Sequence, residues 1–429
     1  MVKIFKNVKL ILTLALFIAA AIIPQNSNAA PKKTIRILLA NHPWKDVVVP
    51  LIPEFEKKTG IKVIVETFEE TQLTPKLTVE FTSGSSTVDV FMTRPLQEGR
   101  LFAKNKWYHP IDSYVAKTKS DWNWKDFPEV TVAAVTYDKK VSAVPLVTEW
   151  EVLFYRKDLF EKAKLSLPKN LVELEACAKA LNDPANNIAG IVSRGQRNPS
   201  VTQFSGYLYA MGGDFIKNGK CVLDSPEAIK AIKYYGKLLK EYGPPGSTNI
   251  HWPQAQAMFA SGKAAMWTDA SVLGGVLYDP AKSQVSDKVG VAVFPSPVNY
   301  MIVSWALAIG NQSKNKDAAW QFVEWSTSPE IAKKAQLAGS TMARKFVWSD
   351  KEVLSKIRAD LADTMVKTSQ GAKPYDRPVM TAVGEARDAI GDVIVKSIET
   401  GGTGDIEGLI KEAVKKINEM LVKAGEGPK

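Results

Sequence analysis

The sequence TIRILLANHPWKDVVVPLIPEFEKKTGIKVIV, residues 34–65, decides the fold class. Its apolar start, residues 34–40, predicts a strand that ends at the polar turn Asn41-His42-Pro43. A helix follows, because apolar side chains recur near helical spacing and Gly60 is placed as a C-terminal cap. From Ile61 onward apolar and polar residues alternate, which predicts a second strand. A strand, a helix and a strand in succession indicate an α/β domain with a largely parallel sheet.

The same alternation of strands and helices continues along the chain. Residues 88–92 predict another short strand, and the middle region predicts helices over 171–181 and 226–241 with a short strand over 190–193. Residues 405–424 predict an amphipathic helix that packs on a domain. In open α/β sheets, ligands bind beyond the carboxyl ends of strands. The first candidate binding loops are therefore those after residues 40, 68 and 92.

Residues 1–30 have the three parts of an export signal, namely lysines at positions 3, 6 and 9, an apolar run over 10–23 and a small-residue end. Cleavage after Ala29 or Ala30 would release the rest of the chain, and no cysteine stands near that point to carry a lipid anchor. We therefore expect a protein of a Gram-negative periplasm. The alternative is an uncleaved membrane anchor, but the apolar run is short of the ~20 residues that a spanning helix needs.

About 400 residues follow the signal, which suggests two large domains or one discontinuous pair. The formal net charge is +11, yet basic residues are interleaved with acidic ones and form no stripe for nucleic acid. We expect no nucleic-acid partner. Cys177 and Cys221 are the only cysteines. In an oxidising compartment they form a disulfide or remain as two buried free thiols.

The sequence contains no motif of a common enzyme class. No H-E-x-x-H, G-x-S-x-G or P-loop pattern occurs. The three histidines, His42, His109 and His251, have no metal-ligand spacing. We expect no catalytic centre, cofactor or metal. A glycosidase with two carboxylates at a defined separation stays open as an alternative, because the sequence cannot give that distance.

Tryptophan is abundant, with 11 residues, several of which have polar neighbours. A sugar presents apolar C–H faces and a ring of hydroxyls, so its site needs flat aromatic side chains beside Asp, Glu, Asn or Arg. Four tryptophans have such neighbours, and each is either a pocket residue or a core residue: Trp150, Trp252, Trp267 and Trp305.

Residues 259–266, FASGKAAM, and the Trp267-Thr268-Asp269 that follows them resemble a segment of the extracellular solute-binding proteins that serve carbohydrate ABC importers. Other stretches agree with that family in the same order along the chain, namely 54–63, 153–160, 305–309 and 313–330. Together they span most of the chain after the export signal. The resemblance therefore rests on a series of segments and not on one motif.

Resemblance to this family, which includes relatives of maltose-binding protein, implies a two-lobed α/β periplasmic-binding-protein fold. Each lobe would be a mainly parallel sheet flanked by helices, with several strands crossing at the hinge. Lobe one would hold residues 31–145 plus 290–327, and lobe two residues 146–289 plus 328–429. The protein would be a periplasmic monomer that captures a sugar or sugar alcohol between closing lobes. It would then deliver that solute to the transmembrane permease subunits of an ABC importer.

The resemblance also implies ligand-binding roles at strand ends, on the first crossover and in the loop before the penultimate helix. Arg194-Gly195 matches an Arg-Gly pair of the sugar and polyol branch, where the guanidinium can fork to two hydroxyls. Together with the tryptophan pattern, this predicts a ligand site made of Asn41, His42, Glu69, Asp89, Thr93, Arg94, Glu149, Trp150, Arg194, Trp252, Trp267, Asp269, Trp305 and Arg377.

Two other functions are compatible with the same sequence. The same fold could bind an amino acid, a peptide or a metal ion, which would require a charged anchor for the carboxylate or metal. An exported glycoside-processing enzyme is the other alternative, and it would return a sugar chemically changed. The particular sugar or sugar alcohol and its size are left open.

Overall fold

The computed structural model describes residues 33–118 and 120–428. The predicted export signal, residues 1–30, lies outside the described residues. Within them, no helix combines the length and the apolar character needed to span a membrane.

The strands of the described residues are β1 (Lys33–Ala40), β2 (Ile61–Phe68), β3 (Val90–Thr93), β4 (Thr136–Tyr137), β5 (Lys140–Val141), β6 (Val144–Arg156), β7 (Ile216–Lys217), β8 (Lys220–Cys221), β9 (Met266–Ala270), β10 (Val289–Val293) and β11 (Met301–Ile309). A seven-stranded sheet has the order β10-β6-β11-β3-β1-β2, and β9 also pairs with β6. The pairs β4-β5 and β7-β8 form separate two-stranded sheets.

The α-helices are α1 (Pro43–Val48), α2 (Ile52–Thr59), α3 (Glu70–Thr82), α4 (Arg100–Lys104), α5 (Asp112–Lys117), α6 (Glu129–Ala134), α7 (Lys157–Lys162), α8 (Leu171–Leu181), α9 (Ser200–Ala210), α10 (Pro226–Tyr242), α11 (Trp252–Ala260), α12 (Lys316–Ser326), α13 (Pro329–Leu337), α14 (Lys351–Lys356), α15 (Ala359–Ser369), α16 (Val383–Thr400) and α17 (Ile406–Ala424). Residues Pro95–Gly99 form a π-helix, and 3₁₀ turns cover Val49–Leu51, Trp124–Asp126, Pro184–Asn186, Ser247–Asn249, Ser271–Tyr278 and Phe346–Trp348.

The predicted strand-helix-strand unit near the start of the chain is confirmed. β1 and β2 pair in parallel along their whole length, from Lys33 opposite Ile61 to Ala40 opposite Phe68. A 3₁₀ turn divides the helical segment between them into α1 and α2. A proline lies in the first turn of the 3₁₀ segment and another in the first turn of α2, where a missing N–H is tolerated. Gly60 ends α2 with a left-handed φ of 70°.

Other sequence predictions met different outcomes. The helices predicted over 171–181, 226–241 and 405–424 are present as α8, α10 and α17. The strand predicted over 190–193 is wrong, because that segment makes only an isolated parallel bridge, Val192 to Trp267. The segment lies beside β9 but does not extend the ladder.

The large sheet is mixed, which corrects the expectation of mainly parallel sheets. β1 is parallel to β2 and β3, whereas β11 is antiparallel to both β3 and β6. β9 and β10 are likewise antiparallel to β6. Every antiparallel pair of the large sheet includes one of the two long strands β6 and β11.

β6 is the strand that connects the two halves of the structure. Its first part, residues 144–150, pairs with β11, and its second part, residues 151–156, pairs with β9 and β10. Two hydrophobic clusters pack against these strands, and the second part of β6 contributes to both, with Val152 and Phe154 in the first cluster and Leu153 in the second. One includes β1, β3 and α12, and the other includes α9, α10, α16 and α17.

The two cysteines are free thiols, so the disulfide alternative is wrong and the alternative of two buried thiols is the correct one. Cys177 lies on α8, where its Sγ approaches the Ser166 carbonyl oxygen at 3.8 Å. Cys221 lies on β8, which pairs with β7 and also contacts α17. Burial raises the pKa of Cys221 to about 11, so its thiol stays protonated at neutral pH. Both cysteines are thus buried in the same hydrophobic cluster, on different secondary-structure elements.

Candidate functional site

A cavity opens where the loops after β1, β2 and β3 meet the crossing strands and the elements packed on β9. Its volume is about 60 Å³, and on the same measure one water molecule needs roughly 10–15 Å³. The cavity therefore has the size for a compact solute. It is lined by Asn41, His42, Pro43, Glu70, Arg94, Leu96, Glu149, Arg194, Thr202, Trp252, Ala270, Val272, Leu273, Ile302, Val303, Ser304, Trp305 and Arg377.

The structure brings together at this cavity a large part of the predicted ligand site. The predicted residues that line it are Asn41, His42, Arg94, Glu149, Arg194, Trp252, Trp305 and Arg377. Asp269 is not on the lining, but it lies directly behind Arg194, with Nη2 of Arg194 2.5 Å from its Oδ1. Glu69 is exposed and contacts a lining residue, because its Oε1 accepts a hydrogen bond from Nδ2 of Asn41 at 2.9 Å.

The remaining predicted residues lie away from the cavity. Asp89 precedes β3 at its far end, where its carboxylate accepts hydrogen bonds from the Arg36 amide and the Ser313 hydroxyl. Thr93 is buried and bonds with Tyr108 and Glu98. Trp150 and Trp267 are core residues, and the latter stacks on Phe154 with centroids 4.9 Å apart.

The alternation of a strand explains why Glu149 and Trp150 differ. Successive side chains of β6 point to opposite faces, so Glu149 lines the cavity while Trp150 packs against Trp348 and donates from Nε1 to Thr364 at 3.4 Å. On β11 the alternation is interrupted by register shifts on either side of Trp305. Such bulges re-aim side chains, and here both Ser304 and Trp305 line the cavity.

Each of the three arginines on the lining has its own carboxylate. Arg194 donates to Asp269, Arg94 donates from Nη1 to Glu70 at 2.6 Å, and Arg377 forms a two-point pair with Asp376 at 2.6 Å for both bonds. In each pair the guanidinium and the carboxylate neutralise each other. The lining arginines are therefore fixed hydrogen-bond donors and not free cations.

Electrostatics inside the cavity follow from this pairing. Burial alone would raise the pKa of Glu70, but the positive charge of Arg94, with smaller contributions from neighbouring cations, holds it well below its ordinary value. Burial would lower the pKa of Arg194, and the charge and hydrogen bonds of Asp269 raise it above the ordinary value instead. Glu70 and Arg194 therefore stay ionised across the physiological pH range.

Glu149 behaves differently from the paired carboxylates. Burial raises its pKa from the ordinary 4.5 to about 7, although a hydrogen bond from Ser304 and the charge of Arg194 oppose that rise. Near neutral pH the Glu149 side chain thus exists in both protonation states. It can accept hydrogen bonds from solute hydroxyls when ionised and donate one when protonated.

This raised pKa predicts a pH-dependent stability that Glu149→Gln removes. A carboxyl whose pKa is raised in the folded protein contributes stability that is fully present below pH 4.5. This stability is lost as the pH rises through about 7. We expect the melting temperature of Glu149→Gln, relative to wild type, to be higher at pH 8 than at pH 5. Exposed Glu161→Gln is the control, and an equal pH trend in both variants would contradict the assignment.

His42, on the cavity lining, has a buried donor without a partner among the described residues. Its Nδ1 accepts a hydrogen bond from the Trp44 amide at 3.2 Å, and burial lowers its pKa to about 4. The ring is therefore neutral and carries its hydrogen on Nε2. Nε2 is buried and has no partner among the described residues. Because a buried donor without a partner is costly, a solute oxygen is the natural acceptor for it.

Aromatic and apolar groups complete the walls. The rings of His42 and Trp305 have centroids 5.8 Å apart, and the Arg94 guanidinium lies 5.4 Å from the Trp305 ring centroid. Trp252 and a set of aliphatic side chains form the remaining wall: Leu96, Val272, Leu273, Ile302 and Val303.

Sequence reasoning missed Glu70 and Thr202 as well as the aliphatic wall. Glu70 is the first residue of α3 and directly follows Glu69. The sequence-based prediction therefore chose the residue next to the one that lines the cavity. The aliphatic residues carry no sequence feature that separates a cavity wall from a core. No group of His, Cys, Asp and Glu within residues 33–118 and 120–428 is arranged to hold a metal ion.

Comparison with known proteins agrees with this architecture. The mannitol-binding protein of Pseudomonas aeruginosa is 31% identical over 274 residues, which span 62% of this chain and 62% of that relative. A solute-binding protein of an ABC transporter from Agrobacterium radiobacter K84, solved with ribitol, is 28% identical with a TM-score of 0.83 and covers 91% of this chain and 99% of its own. Another from Agrobacterium vitis S4, solved with D-mannitol, is 26% identical with a TM-score of 0.81, covering 92% and 99%.

These structural neighbours have the same fold over nearly the whole described chain. The family model of the bacterial extracellular solute-binding proteins matches residues 43–333. This chain belongs to the bacterial extracellular solute-binding protein family.

Proposed function

We propose that this protein is the substrate-binding component of an ABC importer and that it binds a neutral sugar alcohol or small sugar in the cavity described above. In this proposal it is a periplasmic monomer, released by signal cleavage, that delivers its solute to the transmembrane permease subunits. It has no nucleic-acid partner and carries out no covalent chemistry. The names of the mannitol-binding relative and of the ribitol- and mannitol-bound neighbours support this solute class.

The observation that carries the proposal is the internal charge pairing of the lining arginines. An amino acid or an acidic sugar would need a free guanidinium for its carboxylate, whereas Arg94, Arg194 and Arg377 already have carboxylate partners. Such pairs offer directed N–H and carboxylate oxygen groups to hydroxyls without excess charge. That chemistry favours a neutral polyhydroxy solute over a charged one.

The aromatic groups and the unpaired histidine donor support the same class of solute. The C–H faces of a polyol can pack on Trp305, and a hydroxyl oxygen can accept from Nε2 of His42. A polar site that is complete only with hydroxyls in place discriminates strongly against solutes that lack them, because its buried donors would then stay unpaired.

The movement that we propose is closure of two lobes about the crossing strands. Lobe one comprises residues 31–145 plus 290–327, and lobe two comprises residues 146–289 plus 328–429. β10 pairs with the second part of β6. This pairing favours a return of the chain to lobe one after Val293, a few residues beyond the boundary at residue 290 that the sequence predicts. A solute that touches both lobes only when they are closed stabilises the closed state by its differential affinity.

A thermal-shift screen tests this function. The chain without its signal would be heated with ribitol, D-mannitol, monosaccharides, disaccharides, amino acids and ferric ion in separate samples. A solute at a hundredfold excess over its Kd adds about 2.7 kcal/mol of stability. We expect a raised melting temperature with one or more neutral polyols or sugars. A response to amino acids or ferric ion alone would contradict the solute class.

A further inference from the structure

The π-helix Pro95–Gly99 brings a single amide side chain into contact with two arginines from a distant part of the chain. Oε1 of Gln97 accepts hydrogen bonds from Nη1 of Arg377 at 2.9 Å and from Nη1 of Arg387 at 2.6 Å. Arginine only donates, so the amide oxygen and not the nitrogen must face both groups. The orientation of Gln97 is thus fixed by chemistry.

Arg387 depends on this contact more than Arg377 does. Arg377 is paired with Asp376, whereas the acceptors of Arg387 among the described residues are neutral: Oε1 of Gln97, the Asn198 carbonyl and the Thr202 hydroxyl. Arg387 is 5% exposed, and its Nε has no partner in the described part of the chain. The carboxylates of Asp376 and Glu70 act on Arg387 through their charge, but none of its described hydrogen-bond acceptors is charged. Loss of one acceptor from a buried cation is costly.

The contact joins the two proposed lobes beside the cavity. Gln97 follows β3 in lobe one, whereas Arg377 and Arg387 belong to lobe two, the latter on α16. Arg377 also lines the cavity, and Thr202 accepts from both arginines. In an open cleft, water can replace Gln97 as the acceptor, so these bonds are specific to the state in which the lobes meet.

We propose that Gln97 is a closure latch, a positioning residue that stabilises the closed state and holds Arg377 in its ligand-binding orientation. This proposal rests on the two-lobe division of the proposed function. Gln97→Ala leaves two guanidinium N–H groups without their acceptor on closure, and this penalty falls on the closed state alone. Gln97→Glu supplies a charged hydrogen-bond acceptor, which Arg387 has from no other described residue, and this gain also falls on the closed state.

The test combines solute affinity with the compactness of the solute-free protein. Kd values for ribitol and D-mannitol would be measured by titration calorimetry, and the radius of gyration by small-angle X-ray scattering without solute. Couplings of this kind change affinity about 5-fold or more. We expect Gln97→Ala to raise Kd by at least that factor, and Gln97→Glu to lower Kd and to make the solute-free protein more compact.

Gln284→Glu, an exposed glutamine with the same change of charge, is the matched control and should match wild type in both measurements. Wild-type behaviour of Gln97→Glu, or an equal response of Gln284→Glu, would overturn the latch. If Gln97→Ala does not fold, Gln97→Asn, which shortens the side chain, takes its place. If no polyol binds wild type, the proposed function fails, but the scattering of solute-free Gln97→Glu still decides the latch.

Discussion

Asp269→Ala is expected to lower the free energy of unfolding by about 3–5 kcal/mol and to abolish solute binding. Asp269 is fully buried, and its carboxylate accepts from Arg194, from Nε2 of Gln203 at 3.0 Å and from Nε1 of Trp267 at 3.2 Å. Removing it leaves the buried Arg194 guanidinium without a counterion and frees that side chain to leave its position on the cavity wall. Urea unfolding gives the stability, and titration with ribitol and D-mannitol gives the binding.

Asp392→Ala is the matched control for this prediction. Asp392 pairs with Arg197 at the same 2.5 Å separation, but the two side chains are 60% and 51% exposed. An exposed pair contributes about 0–1 kcal/mol, so this variant should unfold and bind nearly as wild type does. If both variants lose the same small amount of stability, the Arg194–Asp269 pair is not the buried anchor described here.

Trp305→Ala is expected to raise the Kd for a polyol about 30-fold or more and also to lower the melting temperature, because Trp305 is only 5% exposed. Loss of a central aromatic residue from a binding site costs about 2 kcal/mol or more, and each 1.4 kcal/mol corresponds to about tenfold in Kd. Trp305 lies at a bulge of β11, between the His42 ring and the Arg94 guanidinium, so its removal opens the wall against which the solute packs. Titration calorimetry measures the change.

Trp325→Ala separates a site effect from a general loss of packing. Trp325 is half-buried on α12 and packs against Phe55 and Phe322, away from the cavity lining. We expect this variant to lose stability while it keeps the wild-type Kd. Unchanged affinity in Trp305→Ala would show that the tryptophan is a structural residue.

The local part of the fold could be predicted because local pattern determines it. The first strand-helix-strand unit, the left-handed Gly60 cap and helices α8, α10 and α17 all follow from spacing and capping within short windows. The mixed direction of the sheet could not be predicted in this way. It depends on how β6 and β11 cross the molecule, and those strands pair over some 150 positions of sequence.

The candidate site shows the same division between local and long-range information. Arg194 and Asp269 each had a sequence signal, but their mutual pairing, 75 positions apart, had none. Trp150 and Trp305 both have polar neighbours in sequence, yet the pleat of β6 turns one into the core and the bulge of β11 turns the other to the cavity. Strand face and bulges therefore decide which aromatic residues meet a solute.

The most direct test of the account is equilibrium dialysis of the chain without its signal against an equal mixture of ribitol, D-mannitol, an acidic sugar and an amino acid, with mass spectrometry of what the protein retains. We predict retention of a neutral polyol, close to one molecule per chain, recovered chemically unchanged. Retention of only the charged solutes, or recovery of an altered product, would contradict the assignment of a charge-paired cavity that captures neutral polyols.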